Sequence, residues 1–229
     1  MHTAREDFKL TRTAVCGLFT TLNNAMGFTN SLMAIAEEPD EVAACFSAIT
    51  DLYCTVLREV MARVPIDIVQ ICDDVASRDF MLVNPDFYRE VMKPLHKRFY
   101  DTAKEVNPDV VCEMHCCGHC ADIIDDFVEI GVTAWEPAEP HNDLSAIMAK
   151  HGTKLAIVGG YDNQKAQGDP SLGEEDIRQI VRDCIDACGK DEAFVFFNMI
   201  VGSDERNENR RNWMNDECEK YGATFYSEA

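Results

Sequence analysis

Two imidazoles and three thiols occupy the six consecutive residues 115–120, and they belong to His115, Cys116, Cys117, His119 and Cys120. The segment follows apolar residues 110–112 and precedes a helix predicted over 121–130, so it marks the end of a strand. Ligands of α/β proteins bind at such edges, and zinc prefers thiolate and neutral imidazole ligands. The segment therefore predicts an open metal site or a reactive site. The alternative is a turn with buried cysteines and one structural histidine.

Polar side chains also stand at the ends of other predicted strands. Together with residues 115–120 there are five such strand ends, which carry Asp73 and Asp74, His115 and Cys117, Glu136, Asp162, and Asn198, respectively. In a β/α barrel, side chains at the carboxyl ends of the strands point into one mouth and form the active site. The alternative is that each acidic residue only caps the following helix. Five such positions in succession make capping alone the weaker explanation.

The elements that position these residues follow from hydrophobic periodicity. Six strands are predicted at 13–20, 66–71, 110–114, 132–135, 155–158 and 193–197. Helices alternate with them, at 24–36, 40–63, 84–106, 121–130, 142–150, 174–187 and 205–221. Short strands that are almost entirely apolar are typical of a parallel sheet covered on both faces. A doubly wound open sheet and a (β/α)₈ barrel both fit this order.

Two helices carry predictions about the side that faces the core. Helix 24–36 is predicted to turn Met26, Leu32, Met33 and Ile35 inward, and helix 40–63 has its apolar residues at Val42, Phe46, Ile49, Tyr53, Val56 and Val60. Asn84 suits the N-cap of the helix that starts at Pro85. His96, within that helix, is predicted to lie on the surface.

Composition limits the classes of function. The 229 residues suffice for one domain over 1–229, and 46% of them are hydrophobic. A formal net charge of -20 repels phosphate backbones, so nucleic-acid binding is not expected. No apolar run approaches the ~20 residues that cross a bilayer, and the N-terminus lacks a signal-peptide core. We therefore predict a cytoplasmic protein that does not bind membranes.

Cysteine usage agrees with that compartment. There are 11 cysteines, an odd number, in a chain that is neither short nor rich in glycine and proline. Such a chain is unlike a secreted disulfide framework, and it indicates a reducing environment. No second cluster has a spacing that would complete a fully ligated structural zinc with residues 115–120.

Three segments resemble the uroporphyrinogen decarboxylase superfamily, and within it the corrinoid-dependent methyltransferases. They are NPDFYREVMKP at 84–94, HCCG at 115–118 followed by IIDDFVEIGV at 123–132, and KLAIVGGYD at 154–162. These segments look like a helix start, a His-x-Cys turn with its helix, and a Gly-Gly turn of that superfamily. The resemblance covers about residues 14–221 and implies a TIM-type (β/α)₈ barrel with its active site at the carboxyl-terminal mouth.

The resemblance also implies a chemistry. It indicates a methyltransferase, or a subunit of one, that moves a methyl group between a small methyl donor or thiol and the corrinoid (cobalamin) of a partner protein. In that branch zinc is held by a His-x-Cys pair, which His115 and Cys117 match, and by a later cysteine. The corresponding position near residues 200–202 carries no cysteine. A metal-free site remains an alternative.

The predicted site therefore draws its third ligand from elsewhere. Cys120 is the predicted third metal ligand, and Asp73, Asp74 and Glu136 are the other candidates for that place. The same three acidic residues are predicted to be catalytic. Gly160, Asp162 and Asn198 are predicted to contact the substrate.

Two alternatives to methyl transfer stay open, namely decarboxylation of a small acid and a non-catalytic subunit that binds a corrinoid protein or a metal. Decarboxylation of a porphyrinogen is disfavoured. The serine and the Gly-His-Gly histidine of the decarboxylases fall on Asp74 and about Val201 in this chain. An acidic mouth would also repel a tetra-acid substrate.

The strand count predicts an incomplete barrel of about six βα units, because an eight-stranded barrel needs two more strands. A second polypeptide could complete it, or a homo-oligomer could, or another element could cover the open sheet edge. The chain could also be a fragment of a longer gene product.

Overall fold

The computed structural model describes residues 10–190 and 193–227, which fall into two compact units. The first unit contains residues up to 75, with 81–116 and 122–133, and the second contains 76–80, 117–121 and the chain from 134 onward. In the described part of the chain, no helix is long and apolar enough to cross a membrane. The expectation of one domain over 1–229 stays a prediction.

The first unit is built on three strands, β1 (Arg12–Cys16), β2 (Ile68–Cys72) and β3 (Val111–His115). They pair in parallel, β1 with β2 and β2 with β3. Its helices are α1 (Leu18–Met26), α2 (Phe28–Glu37), α3 (Pro39–Met61), α4 (Pro85–Phe87), α5 (Lys93–Val106) and α6 (Ile124–Glu129), with a π-helical turn at Tyr88–Met92 and a 3₁₀ turn at Ala121–Ile123.

The second unit carries β4 (Ala134–Ala138), β5 (Ala156–Gly159) and β6 (Phe194–Val195), again paired in parallel. Its helices are α7 (Leu144–His151), α8 (Asn163–Gly168), α9 (Glu174–Cys188) and α10 (Glu205–Ser227), with 3₁₀ turns at Pro140–Asn142 and Gly152–Lys154. Within each unit the strands that pair are neighbours in the chain, in the orders β1-β2-β3 and β4-β5-β6. A doubly wound sheet reverses its strand order at a switch point, and the described strands of neither unit do so, as in an incomplete (β/α) barrel.

Strand register divides the residues of the first unit between two faces of the sheet, because successive side chains alternate. Thr13 and Val15 pair with Val69 and Ile71, which are buried on the helix-covered face. The opposite face carries Ala14, Gln70 and Glu113 in one row, and Cys16, Cys72 and His115 in the next. The second row therefore ends the three strands with two thiols and an imidazole.

A buried carboxylate inside the first unit has its own ion pair and hydrogen bonds. The Glu113 carboxylate is buried, pairs with Arg12 at 2.9 Å and accepts a hydrogen bond from the Gln70 amide at 3.2 Å. The Tyr100 hydroxyl donates to the Glu113 carbonyl at 2.7 Å. Burial raises the pKa of Tyr100 well above its ordinary value, so its hydroxyl stays a donor.

In the second unit, α9 and α10 pack through an apolar cluster that includes Ile177, Val181, Ile185 and Met214. The Arg210 side chain is 1% exposed and donates to four main-chain carbonyls of residues 166–172, at distances of 2.6–3.1 Å. Two guanidinium groups of α9 also bind one carboxylate of α10, and these partners are Arg178, Arg182 and Glu217.

Several predictions about elements were wrong. Residues 18–20 belong to α1 and not to a strand, because the chain turns at Gly17 after β1. The helix predicted over 24–36 is two helices that meet at Gly27, whose φ of 79° breaks the first one. Met26 and Met33 are 45% and 49% exposed and do not face the core.

The structure also places two functional-type residues differently from the prediction. Glu136 lies inside β4, because this strand runs from Ala134 to Ala138 and not from 132 to 135. His96 is 2% exposed and not a surface residue. The N-cap prediction for Asn84 is confirmed, since its side chain accepts a hydrogen bond from the Asp86 amide at 2.7 Å.

Candidate metal centre

Asp74 and His115 meet where β2 and β3 end side by side. Cys72 is the register partner of His115, and the Asp73 amide donates to the His115 carbonyl at 2.9 Å, so the pairing continues one residue past β2. The next residue, Asp74, places Oδ1 3.7 Å from Nε2 of His115. Strand pairing alone therefore brings a carboxylate to the imidazole.

Cys117 follows His115 by two residues and completes a possible ligand set. One ligand atom from each of Asp74, His115 and Cys117 lies within 4.8 Å of the other two. The Asp74 side chain is 50% exposed and that of His115 is 18% exposed, so the set is open to solvent on the Asp74 side. A carboxylate oxygen, an imidazole nitrogen and a thiol sulfur are the three donor types that bind zinc.

The donor set can be tested against the size of a zinc site. Bonds of about 2.0–2.3 Å in a tetrahedral site put ligand atoms about 3.3–3.8 Å apart. For an oxygen and a nitrogen ligand the separation is about 3.3–3.5 Å, and the 3.7 Å between Asp74 and His115 is slightly longer. A small rotation of the half-exposed Asp74 side chain closes that difference. The residues therefore fit a zinc ion held by three protein ligands.

Asp73, the neighbour of Asp74, points the other way and holds a helix. Its carboxylate is 1% exposed and accepts hydrogen bonds from the amides of Leu18 and Thr20, each at 2.9 Å, and from that of Phe19 at 3.4 Å. These are the unpaired amides of the first turn of α1, and a negative charge there is favoured by the helix dipole. Asp73 caps α1 from a different strand.

The close approach of Asp73 explains the glycine before α1. A Cβ atom added at Gly17 would lie 2.1 Å from both Cβ and Cγ of Asp73. No side chain fits at that distance, so the turn from β1 into α1 and the Asp73 cap depend on each other.

His96 lies beneath this cap and was missed as a candidate for a functional role. Its Nε2 is 3.3 Å from Oδ2 of Asp73, and its Nδ1 is 3.5 Å from the hydroxyl of Tyr88. The sequence does contain a signal, because Tyr88, Met92, His96 and Phe99 recur at helical spacing and all four are buried. A histidine within such an apolar stripe faces the interior.

The other predicted ligands have different surroundings, and their role as metal ligands stays a prediction. Cys120 is fully buried, and its amide donates to Oδ1 of Asn142 at 2.9 Å. Glu136 is 3% exposed and precedes a cis peptide bond to Pro137. Among the described residues, the groups of three that could hold a metal include Asp74 but not Asp73, Cys120 or Glu136.

The three predicted substrate-contacting residues have contacts of their own within the second unit. Asp162 caps α8 by accepting the Lys165 amide at 2.9 Å and lies 3.5 Å from Arg78. The Asn198 amide donates to Asn215 at 2.9 Å. Gly160 has a φ of 93°, and an added Cβ would lie 2.8 Å from Sγ of Cys184. Their predicted contact with a substrate stays a prediction.

A buried carboxylate in the second unit was also missed. Glu139, 3% exposed, accepts the Gly118 amide at 2.9 Å and lies 3.7 Å from Nε2 of His141. The ring of His141 stacks on that of His119 at 6.3 Å, and His119 Nδ1 lies 3.1 Å from the His141 carbonyl. These contacts fix the residues that follow the His-x-Cys pair.

Comparisons with known proteins agree with the segments quoted above. The chain matches the family described as uroporphyrinogen decarboxylase (URO-D) over residues 12–199. No curated protein matches. A solved structure of a methyltransferase from Methanosarcina mazei superposes with a TM-score of 0.65 at 19% identity, over 93% of this chain and 59% of that one. The chain thus has the same fold over 59% of the length of that protein.

The family match covers most of the chain, including β1 through β6, the Asp74 and His115 pair, and the Gly-Gly turn. It confirms the resemblance at the level of the family. This chain belongs to the uroporphyrinogen decarboxylase (URO-D) family.

Proposed function

We propose that this chain is a methyltransferase, or a subunit of one, that moves a methyl group between a small methyl donor or thiol and a corrinoid carried by a partner protein. The proposal gives Asp74, His115 and Cys117 the role of holding a zinc ion at the carboxyl ends of β2 and β3. The observation that carries it is the approach of these three ligand atoms to within 4.8 Å of one another.

The three side chains suit a catalytic rather than a structural metal. A zinc ion bound there would supply a Lewis acid that lowers the pKa of a coordinated thiol. Three protein ligands leave the fourth position of a four-coordinate site for a substrate. Asp74 is the most exposed member of the set, so substrate access is expected on its side.

The residues around the set hold it in place. The Asp73 amide bonds to the His115 carbonyl at 2.9 Å, and the Asp74 amide lies 3.4 Å from the Thr20 hydroxyl. Thr20 also bonds to the Asp73 carboxylate. The first turn of α1 therefore fixes the main chain that presents Asp74 to His115.

Two further observations support methyl transfer. The fold is that of a protein named as a methyltransferase, and the His-x-Cys pair matches the motif quoted for the methyltransferase branch. The corrinoid partner follows from that resemblance alone. The missing later cysteine is accounted for if Asp74 takes the third ligand position.

Decarboxylation of a small acid is the second candidate, and the family description favours it. In that reaction an acidic residue at the end of β2 would donate a proton. Asp73 is occupied by three amides of α1, so Asp74 would serve. This reaction would proceed without metal, which separates it from methyl transfer.

Metal content of the purified chain tests the proposal first. We expect about one zinc per chain, lost in His115→Ala and in Cys117→Ser, and bound at least tenfold more weakly in Asp74→Ala. Cys120→Ser is the matched control, because it removes a neighbouring thiol that lies outside the set, and it should retain the metal. Absence of zinc from the wild type, or loss in Cys120→Ser with retention in Asp74→Ala, would contradict the ligand assignment.

Activity is tested with methylcobalamin and 2-mercaptoethanol as probes. The zinc-loaded chain should demethylate the cobalamin and produce the methyl thioether, and the Cys117→Ser variant should not. If zinc binds but no methyl group moves, the chain holds a metal without catalysing this transfer, and the non-catalytic alternative gains. Turnover that survives removal of zinc would favour metal-free chemistry.

A further inference from the structure

Two cysteines end neighbouring strands of the first unit side by side. Cys16 is the last residue of β1, Cys72 is the last residue of β2, and the two are register partners. The pairing continues past them, because the Gly17 amide donates to the Cys72 carbonyl at 2.7 Å. Paired strands lie about 4.7–4.9 Å apart, so register holds the two Cα atoms within the range of about 4.4–6.8 Å that a disulfide bond spans.

Both cysteine side chains lie on the same face of the sheet. The residues before them, Val15 and Ile71, form a register pair on the helix-covered face, and successive side chains of a strand alternate between faces. The Cβ atoms of Cys16 and Cys72 therefore point to the same side, which is the second condition for a disulfide bond. Cys16 is exposed and Cys72 is half-buried, so a small molecule can reach the pair from solvent.

Other cysteines of the first unit do not share this arrangement. Cys112 is buried and has Val69 as its register partner. Cys45 is exposed on α3, away from the strands. Within the described part of the first unit's sheet, Cys16 and Cys72 are the only two thiols in register with each other.

We propose that Cys16 and Cys72 form a reversible disulfide bond, which makes the carboxyl ends of β1 and β2 a redox-sensitive modification site. The oxidant is a low-molecular-weight disulfide such as oxidised glutathione. The inference does not depend on the proposed methyl transfer, because the bond joins two strands of the first unit and is detected without measuring activity.

The exposed thiol of Cys16 reacts first. Its thiolate attacks one sulfur of the small disulfide, whose S–S bond breaks and releases one small thiolate. The Cys72 thiolate then attacks Sγ of Cys16 and expels the second small thiolate. The two protons of the cysteines pass to the released thiolates, so the chain loses two electrons and the small disulfide gains them.

The reduced form has a hydrogen bond that the oxidised form gives up. The Cys72 thiol donates to Oε1 of Gln70 at 3.1 Å, and the Gln70 amide donates to Glu113 at 3.2 Å. Forming the disulfide breaks the first of these bonds, and exposed disulfides are the ones that are most readily reduced. Both features favour a bond that forms transiently, which is typical of disulfides in the reducing environment that the cysteine usage predicts.

Disulfide mapping of the whole chain tests the proposal. The folded chain is incubated with oxidised glutathione, its remaining thiols are alkylated, and the tryptic peptides are identified by mass spectrometry. Trypsin places Cys72 in peptide 64–78 and Cys16 in peptide 13–58. We expect these two peptides to be linked through Cys16 and Cys72, and to be separated again by dithiothreitol.

Two serine variants give the rate comparison. Loss of the Cys72 thiol, followed by alkylation over time, should slow at least tenfold in Cys16→Ser, because Cys72 then lacks its neighbouring thiol. Cys45→Ser is the matched control, since it removes another exposed thiol from the same tryptic peptide, and it should leave the rate within twofold of wild type. Circular dichroism should be unchanged in both variants, because each replaced thiol is exposed.

Four results would overturn the proposal. Cys72 could link to a different cysteine, or it could stay reduced while Cys16 retains a bound glutathione. The Cys72 thiol could be lost as fast in Cys16→Ser as in the wild type. Finally, the link between Cys16 and Cys72 could form only when the chain is unfolded in urea, which would show that strand pairing does not bring the thiols together.

Discussion

Replacing Gly17 with alanine should destabilise the first unit through a single collision. Gly17 has φ -66° and ψ 175°, which any residue adopts without strain. The added Cβ, however, would lie 2.1 Å from Cβ and Cγ of Asp73 and 2.6 Å from Oδ1. The Asp73 side chain cannot move away cheaply, because three amides of α1 hold its carboxylate.

The size of the destabilisation follows from the two costs of the added methyl group, the displaced helix cap and the overpacked site. Displacing a helix cap costs about 0.5–2 kcal/mol, and overpacking a buried site costs about 1–3 kcal/mol. We therefore expect Gly17→Ala to lower the free energy of unfolding by about 2–4 kcal/mol. Gly168→Ala is the matched control, because an added Cβ there meets nothing within 4 Å, and alanine is the better helix former.

Urea unfolding followed by circular dichroism measures both variants. In an Asp73→Gly background every Asp73 side-chain atom that the added Cβ would meet is removed and the cap is already lost, so Gly17→Ala should cost less than about 1 kcal/mol there. A Gly17→Ala variant within about 0.5 kcal/mol of wild type would refute the reasoning. So would an equal cost with and without the Asp73 carboxylate, since the effect would then not pass through Asp73.

Three further predictions concern the rest of the chain. Arg210→Met should lower the free energy of unfolding by about 3 kcal/mol, because it leaves four carbonyls without their donor; urea unfolding measures it. Although burial opposes ionisation of Glu217, hydrogen bonds from the two arginines of α9 lower its pKa below the ordinary value. The stability that ionised Glu217 contributes is fully present above about pH 4.5, the pKa of this residue in the unfolded chain, and it is lost as the pH falls through the folded pKa. Glu217→Gln should therefore reduce the drop in melting temperature between pH 7 and pH 4. Burial raises the pKa of Cys112 to about 11, so mass spectrometry after brief alkylation should find the exposed Cys16 modified well before Cys112.

Three of the strands and the edge that carries the proposed metal site could be predicted from the sequence, because both follow from local patterns. Apolar runs of four to six residues locate β2, β3 and β5 to within two residues. Parallel strands then place Asp74 and His115 at one edge without further information. What the pattern cannot supply is the partner of each side chain, which depends on contacts between distant residues.

Asp73 and Asp74 show this limit most directly. Both follow β2, and capping and catalysis were alternative readings of the pair. Successive residues of an extended chain point to opposite sides, so the two carboxylates divide the roles. Asp73 binds α1, some 55 residues earlier in the chain, while Asp74 approaches His115. A helix cap supplied by a different strand leaves no signature in the sequence around the helix.

The third ligand of the proposed metal site depends on the different roles of Asp73 and Asp74. Cys120 is the natural choice from spacing alone, because it continues a run of cysteines. The chain turns at Gly118, whose φ is 86°, and the amide of Cys120 is held by Asn142 within the second unit. Asp74 reaches His115 because β2 pairs with β3. The residue before it, Asp73, is anchored to the amides of α1. Strand pairing and a helix cap thus position Asp74 and His115 of the proposed ligand set, and Asp73 should influence metal affinity without touching the metal.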